Sequence, residues 1–419
     1  MPRWLYILLI FAVLAPILNL VHAPPILVFL VAALGIAPLA ALIGDSVEAV
    51  AQHTGERIGG LLFATFGNIT ELIISILALR EGLIDVVKAS IIGAILGNAL
   101  LVLGVAVCVG GFKNGRLKFE ARPASQYASL FALCVASLML PTVAELLASR
   151  EHQAQIVERG IALSDFVAVL LLLGYIASIL FSVFHFKDAG DEETERFEPM
   201  LGGRSAAAIV RLLAYRHVLA HSTTPGKTNA LRQIDGTMSA IIGQESAQAP
   251  GTVGAAPTAQ EKAEQPKTPL WRGLLLLTVA TVSVAILSEV LVGAIEPLTE
   301  ALHWSPAFVG LVFLPLIGGL PEYFNTISMA LDKRMGLVLS ASAGSSTQIA
   351  LLVAPILVLI SLFTPQRLDL VFSIIEISVL GLATFLFSEI TRDGELVWLE
   401  GLFLILLYAM MAGTVFLFG

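Results

Sequence analysis

The sequence predicts an all-α integral membrane protein of about eleven transmembrane helices, one N-terminal helix followed by two inverted five-helix repeats. Three observations carry this expectation. The 419 residues are 57% hydrophobic and only 13% charged, against roughly 25% charged in an average soluble domain. Apolar runs of about 20 residues, long enough to cross a bilayer as helices, recur along the chain. Two segments, GNITELIISILAL from Gly67 and GGLPEYFNTISMAL from Gly318, also superpose without a gap at an offset of 251. The same offset lays Gly93 on Gly344 and Ala99–Val102 on Ala350–Val353.

The eleven apolar runs fall near 4–21, 26–44, 58–80, 84–110, 126–147, 164–186, 271–293, 305–331, 335–361, 370–388 and 397–418. The first follows Arg3 and ends by Val21-His22-Ala23, so it also has the outline of a signal peptide with a poor cleavage site. Taken as a helix, it forms a separate segment, 1–22. Ten runs remain, five in a first repeat, 23–186, and five in a second, 269–419, on either side of a polar loop, 187–268. Five is odd, so the second half enters the membrane from the opposite side. Inverted repeats of this kind typify secondary transporters, which hold substrate near the midplane where the repeats meet. A duplicated scaffold with no transport role is the alternative, and a charged residue at the matching position weighs against it.

The loop opens with the acidic stretch Asp188, Asp191, Glu192, Glu193, Glu195 and Glu198, read as a solvated linker. A basic amphipathic piece with Ile209, Leu212, Arg211 and Arg216 follows, suited to the inner leaflet. From about Ser222 to Thr268 the composition is that of a disordered linker. Lys and Arg in the short loops set the orientation. Arg3, Arg57, Lys113, Arg116, Lys118, Arg122, Lys333, Arg334 and Arg392 share one side, and Arg80, Lys88, Arg150, Arg159 and Arg367 the other. The richer side is expected to be cytoplasmic, with the N-terminus and the 187–268 loop, in a cell (inner) membrane. The net charge of −8 argues against nucleic acid binding. Cys108 and Cys134 lie in apolar runs without a CxxC pattern, which excludes a disulfide framework or a zinc site.

The chemistry concentrates in the two superposed segments. Glu71 and Glu322 occupy equivalent positions, and a carboxylate at membrane depth is costly and belongs by default to a transport path. Each has a helix breaker close by: Gly67 before Glu71, and Gly318, Gly319 and Pro321 before Glu322. Proline removes a backbone donor and clashes with the preceding turn, so the second helix is expected to kink between Leu316 and Pro321. Carbonyls freed at such a break can coordinate a cation; Gly67 by itself reads equally as a packing residue. Ser75 and Thr326 follow each glutamate by one turn, and Asn68 precedes Glu71 by one.

The next helix carries Ser90 and Asn98 in the first half, and Ser340, Ser342, Ser345, Ser346, Thr347 and Gln348 in the second. All are oxygen donors suited to a hard cation, with no His or Cys cluster for a softer one. The bland reading of any one hydroxyl is that it caps its own backbone. Two carboxylates neutralise one divalent cation or accept two protons, whereas an empty pair leaves bare charges away from water. Coupled exchange therefore follows from charge alone, with protons and cation competing for the pair. Glu48 and Glu289, at roughly equivalent places in the two halves, are candidates for a proton relay or gate; an interfacial, solvated glutamate is the equal reading for Glu48.

Residues 59–104, GGLLFATFGNITELIISILALREG through VVKASIIGAILGNALLVLG, together with SEVLVGAIEPL, FVGLVFLPLIG and AGSSTQIALLVAPILVL in the second half, resemble the cation/proton exchanger family. These are calcium/proton antiporters within the calcium/cation antiporter superfamily. The resemblance covers nearly the whole membrane part and not the long loop. It implies Glu71 and Glu322 as shared calcium and proton ligands, with Asn68, Ser345 and Gln348 at positions lining that site. The implied activity is Ca²⁺ export against inward protons by alternating access. The chain is then a transporter and not an enzyme, with Ca²⁺ and H⁺ as cargo, no cofactor, and the lipid bilayer as its surroundings.

Two departures bear on selectivity. Where the second motif usually reads Gly-Asn-Ala-Ala-Glu-His, this chain has Gly318-Gly319-Leu320-Pro321-Glu322-Tyr323, and Leu320-Pro321-Glu322 resembles sodium/calcium exchangers of the same superfamily. Ala94 and Gly97 stand where the family often has serines. Fewer side-chain ligands leave open another cation, Na⁺, K⁺ or Mn²⁺, on the same scaffold. A channel or a non-transporting scaffold is the reading from a different class.

Overall fold

The computed structural model describes residues 7–54, 62, 65–148, 156–184 and 269–418. The 187–268 loop, with its acidic stretch and amphipathic piece, lies outside the described residues. One compact unit, Met1–Val183 with Lys267–Gly419, contains both repeats; Phe184–Pro266 forms a second unit.

The fold is all-α. Helix occupies the described part of each of the eleven apolar runs. Among the described residues, seven helices are long and apolar enough to cross a membrane singly: Pro25–Thr54, Ile84–Asn114, Ala121–Leu147, Arg159–Leu180, Leu270–Leu302, Met335–Phe363 and Trp398–Phe418. An eighth span is a broken pair, Pro306–Gly318 and Leu320–Leu331, bent by 59°. The second run was expected to end near residue 44, but its helix continues to Thr54. The polar residues Asp45, Ser46 and Glu48 do not stop it, and Ser46 donates to the Leu42 carbonyl one turn back (2.6 Å).

The duplication extends to backbone detail. Shifted by 251, the helix Ile69–Arg80 becomes Leu320–Leu331, and Ile84 at the start of the next helix becomes Met335. Both of these following helices loosen into a π turn at matching places, Gly97–Val102 and Ile349–Val353. The helices that follow begin at Leu103 and Ala354. The connecting turns match as well. Gly82 (φ 81°) and Lys333 (φ 60°) both adopt the left-handed conformation. The closing bonds, Leu83 N–H to Ala78 O (2.9 Å) and Arg334 N–H to Met329 O (2.9 Å), are equivalent. These pair the last carbonyls of each helix, as helix ends require.

Two close approaches bring the halves together. The long helices Pro25–Thr54 and Leu270–Gly293 pack antiparallel, with Gly35 against Leu287 near one end and Val50 against Gly273 near the other. The helix Ile84–Leu96 crosses the π turn Val309–Phe313 so tightly that a methyl group on Gly93 would collide with the Leu311 carbonyl. A two-stranded antiparallel sheet, Leu117–Lys118 with Glu395–Leu396, joins the halves at one end of the bundle. Nothing in the composition of those four residues foretold it.

Candidate cation site

Glu71 and Glu322 each sit in the first turn of a helix that starts at a break. Gly67 and Asn68 form the turn before Ile69, and Gly319 (φ −83°, ψ 3°) interrupts the chain between Gly318 and Leu320. Pro321 falls in the first turn of its helix, where the missing N–H costs no internal bond. Neither Asn68 nor Gly319 caps its helix with a side chain. The positive ends of both helices are therefore directed at the carboxylates, which favours negative charge there.

The two carboxylates converge on one place. A Cβ built on Gly319 would stand 3.7 Å from Glu322 Oε2 and 4.0 Å from Glu71 Oε1. On Gly318 it would stand 2.7 Å from Glu71 Oε1 and 2.9 Å from its Cδ. The glycines thus leave room for Glu71 to approach the opposite repeat.

The remaining contacts are unequal. Glu322 Oε1 accepts from Ser345 Oγ (2.7 Å), and the Asn98 side chain stands near the same carboxylate. Asn68 Nδ2 donates to Gln348 Oε1 (2.9 Å) across the repeats. Glu71 Oε2 and Asn68 Oδ1, both buried, have no hydrogen-bond partner among the described residues. Buried oxygens left unpaired are expensive, and two of them beside a pair of carboxylates suit a positive ion. The donor set is carboxylate, amide and hydroxyl, the chemistry of hard cations. Among the described residues no group of three or more His, Cys, Asp or Glu gathers to hold a metal.

The other expected residues divide. Ser75 lines a narrow pocket with Glu71, Ser90, Ala94 and Pro315, and its hydroxyl lies 3.4 Å from that of Ser90. Thr326 donates to the Glu322 and Tyr323 carbonyls of its own helix (2.7 and 3.2 Å). Glu48 and Glu289 are exposed on the two long antiparallel helices, and no described contact joins either to the central pair. Asn98 stood among the polar groups of the sequence without being singled out, although Gly97-Asn98 repeats the Gly67-Asn68 dipeptide that marks the first break.

The chain matches the sequence model of the sodium/calcium exchanger protein family over residues 24–184 and 272–417. It belongs to that family. The two matched stretches coincide closely with the two repeats. A Ca²⁺/H⁺ antiporter of Synechocystis is 35% identical over 92% of this chain and 89% of its own. The Ca²⁺/H⁺ antiporter ChaA of Bacillus subtilis is 30% identical over 95% of this chain and 94% of its own. These relatives are antiporters, not enzymes. Among solved structures, native YfkE superposes with a TM-score of 0.71 at 27% identity, covering 99% of both chains. The H⁺/Ca²⁺ exchanger CAX shares the fold at a TM-score of 0.60 and 13% identity, over 99% of this chain and 91% of its own. The all-α membrane architecture expected from the sequence is that of this exchanger family.

Proposed function

We propose that this chain is a calcium/proton antiporter that exports Ca²⁺ from the cytosol in exchange for protons by alternating access. The observation that carries the reading is the convergence of Glu71 and Glu322, from equivalent turns of the two repeats, on the space beside Gly319. Relatives named Ca²⁺/H⁺ antiporter at 35% and 30% identity over most of the chain support the same cargo. The residues would act as follows. Glu71 and Glu322 hold the ion or the protons. Ser345 and Asn98 orient Glu322. The free oxygens of Glu71 and Asn68 complete the ligand set with Gln348 beside them. One divalent cation or two protons neutralise the pair alike, so either load crosses at similar electrostatic cost, and the bare pair crosses poorly. The surplus of Lys and Arg puts the N-terminus and the 187–268 loop in the cytosol of a cell (inner) membrane.

Gly319 is the counterpart of Asn68 and brings no side chain, so the second motif supplies one amide fewer than the first. This favours, as second reading, an antiporter of the same scaffold with another cation in the site. Everted vesicles with a pre-formed pH gradient, challenged in turn with Ca²⁺, Na⁺, K⁺ and Mn²⁺, separate the two. Ca²⁺ is expected to collapse the gradient, and neither Glu71→Gln nor Glu322→Gln retains the response. Collapse that survives either substitution would overturn the proposal, and a response to Na⁺, K⁺ or Mn²⁺ in place of Ca²⁺ would select the second reading.

A further inference from the structure

Each half of the chain contains a short non-helical strap just after the helix that lines the central site. The straps are counterparts at the 251 offset: Arg116-Leu117-Lys118-Phe119 and Arg367-Leu368-Asp369-Leu370. In both, the leucine is fully or almost fully buried (2% and 0% exposed). In both, the arginine reaches a carboxylate in or just before the other half's last helix. Arg116 pairs with Glu395 (2.8 Å), and Arg367 pairs with both oxygens of Asp165 (2.6 and 2.8 Å). The straps lie at opposite ends of the bundle, since Lys88 lies one turn into the continuous span Ile84–Asn114 and Asn114 ends it.

The third position breaks the symmetry. Lys118 is exposed, and Leu339, the counterpart of Lys88, has no charge to offer it. At the other end Asp369 forms an ion pair with Lys88, and Lys88 also donates to the Val371 carbonyl (3.0 Å). Ser164 Oγ accepts from Leu370 N–H and Thr142 Oγ1 from Phe372 N–H (3.0 Å each), so two helices of the first half hold the strap's backbone. Lys88 stands one turn before Ile91 on the helix that supplies Ser90, Ile91 and Ala94 to the pocket beside Glu71. Both partners are largely shielded, with side chains 20% and 27% exposed. At such sites an ion pair is costly to break on one side alone.

We propose that Lys88 and Asp369 form a latch that holds the Arg367–Phe372 strap against the site helix and closes the central pocket towards that end of the bundle. The pair must part when the site opens there, and the opposite end, lacking the pair, opens without it. The proposal rests on alternating access but not on which cation is carried.

The test places a single reporter, Ile91→Cys, in a chain whose two free cysteines, Cys108 and Cys134, are replaced by alanine. A membrane-impermeant maleimide is added to either face of proteoliposomes without any ion gradient. Lys88→Met and Asp369→Asn are each expected to speed labelling about tenfold from the strap face only, a shift of the open population by that factor. The exchange of the two charges, Lys88→Asp with Asp369→Lys, should return labelling to within about twofold of the parent, because the attraction is restored. Labelling at the parental rate in both neutral variants overturns the latch, as does a charge exchange that labels as fast as they do. Labelling that rises equally from both faces also overturns it, because that reports a loosened bundle. Loss of Ca²⁺-driven transport with this labelling pattern intact would count against the cargo and not against the latch.

Discussion

Ser346 donates its hydroxyl proton to the backbone carbonyl of Ile95, the residue 251 positions earlier and therefore its own counterpart in the other repeat (3.1 Å). Two equivalent positions can touch only where they flank the axis that relates the halves. Ser342 also crosses between the repeats nearby, donating to the Asn98 carbonyl (2.6 Å). Ser345, beside Ser346, donates to the Glu322 carboxylate. The contact at the axis and the donor to Glu322 therefore come from one short stretch of each repeat, 95–98 and 342–346. A cation held there is shared by the halves and remains at the axis whichever way they tilt, which alternating access requires of a central site.

The turn that closes each glutamate helix provides a test of how closely the repeats match. Gly82 adopts a positive φ at little cost, whereas Lys333 adopts the same conformation against the crowding of its Cβ. Lys333 is exposed and packs on nothing that a glycine would lose. Lys333→Gly should therefore raise stability by about 0.5–1 kcal/mol, and Gly82→Lys should lower it by about 1 kcal/mol. Thermal unfolding in detergent reads both. Equal and opposite shifts support a common turn geometry, and a destabilised Lys333→Gly would refute it.

Gly318 lets the site be emptied without unfolding the chain. An alanine methyl there would lie 2.7 Å from Glu71 Oε1 and within 2.9 Å of its Cγ and Cδ, all atoms of one side chain that can swing away. Gly344, by contrast, has no foreign heavy atom within 4 Å of its would-be methyl. Gly318→Ala is expected to cut Ca²⁺-driven proton release by about a hundredfold, the usual cost of misplacing a reacting group by an ångström. Gly344→Ala is expected to leave it nearly unchanged. Both proteins should elute as the parent does in gel filtration; a Gly318→Ala chain with full transport would remove Glu71 from the site.

Much of this was legible in the residues. The offset of 251, the paired glutamates and the helix break at Gly318–Pro321 are all written in type and spacing, because a proline beside two glycines and a charge at membrane depth have few other uses in a membrane helix. The π turns were not, since one extra residue in a turn leaves no mark on an all-apolar run such as Ala99–Val102 or Ala350–Val353. The straps went unread for another reason. Arg116-Leu117-Lys118 and Arg367-Leu368-Asp369 are visible as counterparts once the offset is known, but their partners lie 279 and 202 positions away. The equivalence also concealed differences. Gly93 and Gly344 occupy the same repeat position, yet a methyl would collide with the Leu311 carbonyl at the first and meet open space at the second.

Ser345 and Thr326 both stand near Glu322, and the geometry separates a ligand-positioning hydroxyl from a structural one. Ser345 donates across helices to the carboxylate itself, so removing it leaves Glu322 with one donor fewer and a less fixed orientation. Thr326 donates to the Glu322 and Tyr323 carbonyls of its own helix, the usual resting place of a hydroxyl in a membrane helix. Those carbonyls already serve the helix ladder, so Thr326→Val, nearly the same shape, should change the apparent Km for Ca²⁺ by less than about twofold. Ser345→Ala should raise that Km by about tenfold, the equivalent of one hydrogen bond to a charged group. The measurement is Ca²⁺ uptake into everted vesicles over a range of external Ca²⁺ at fixed pH gradient. If Thr326→Val raises Km as much as Ser345→Ala does, the threonine turns towards the ion during transport and belongs among its ligands.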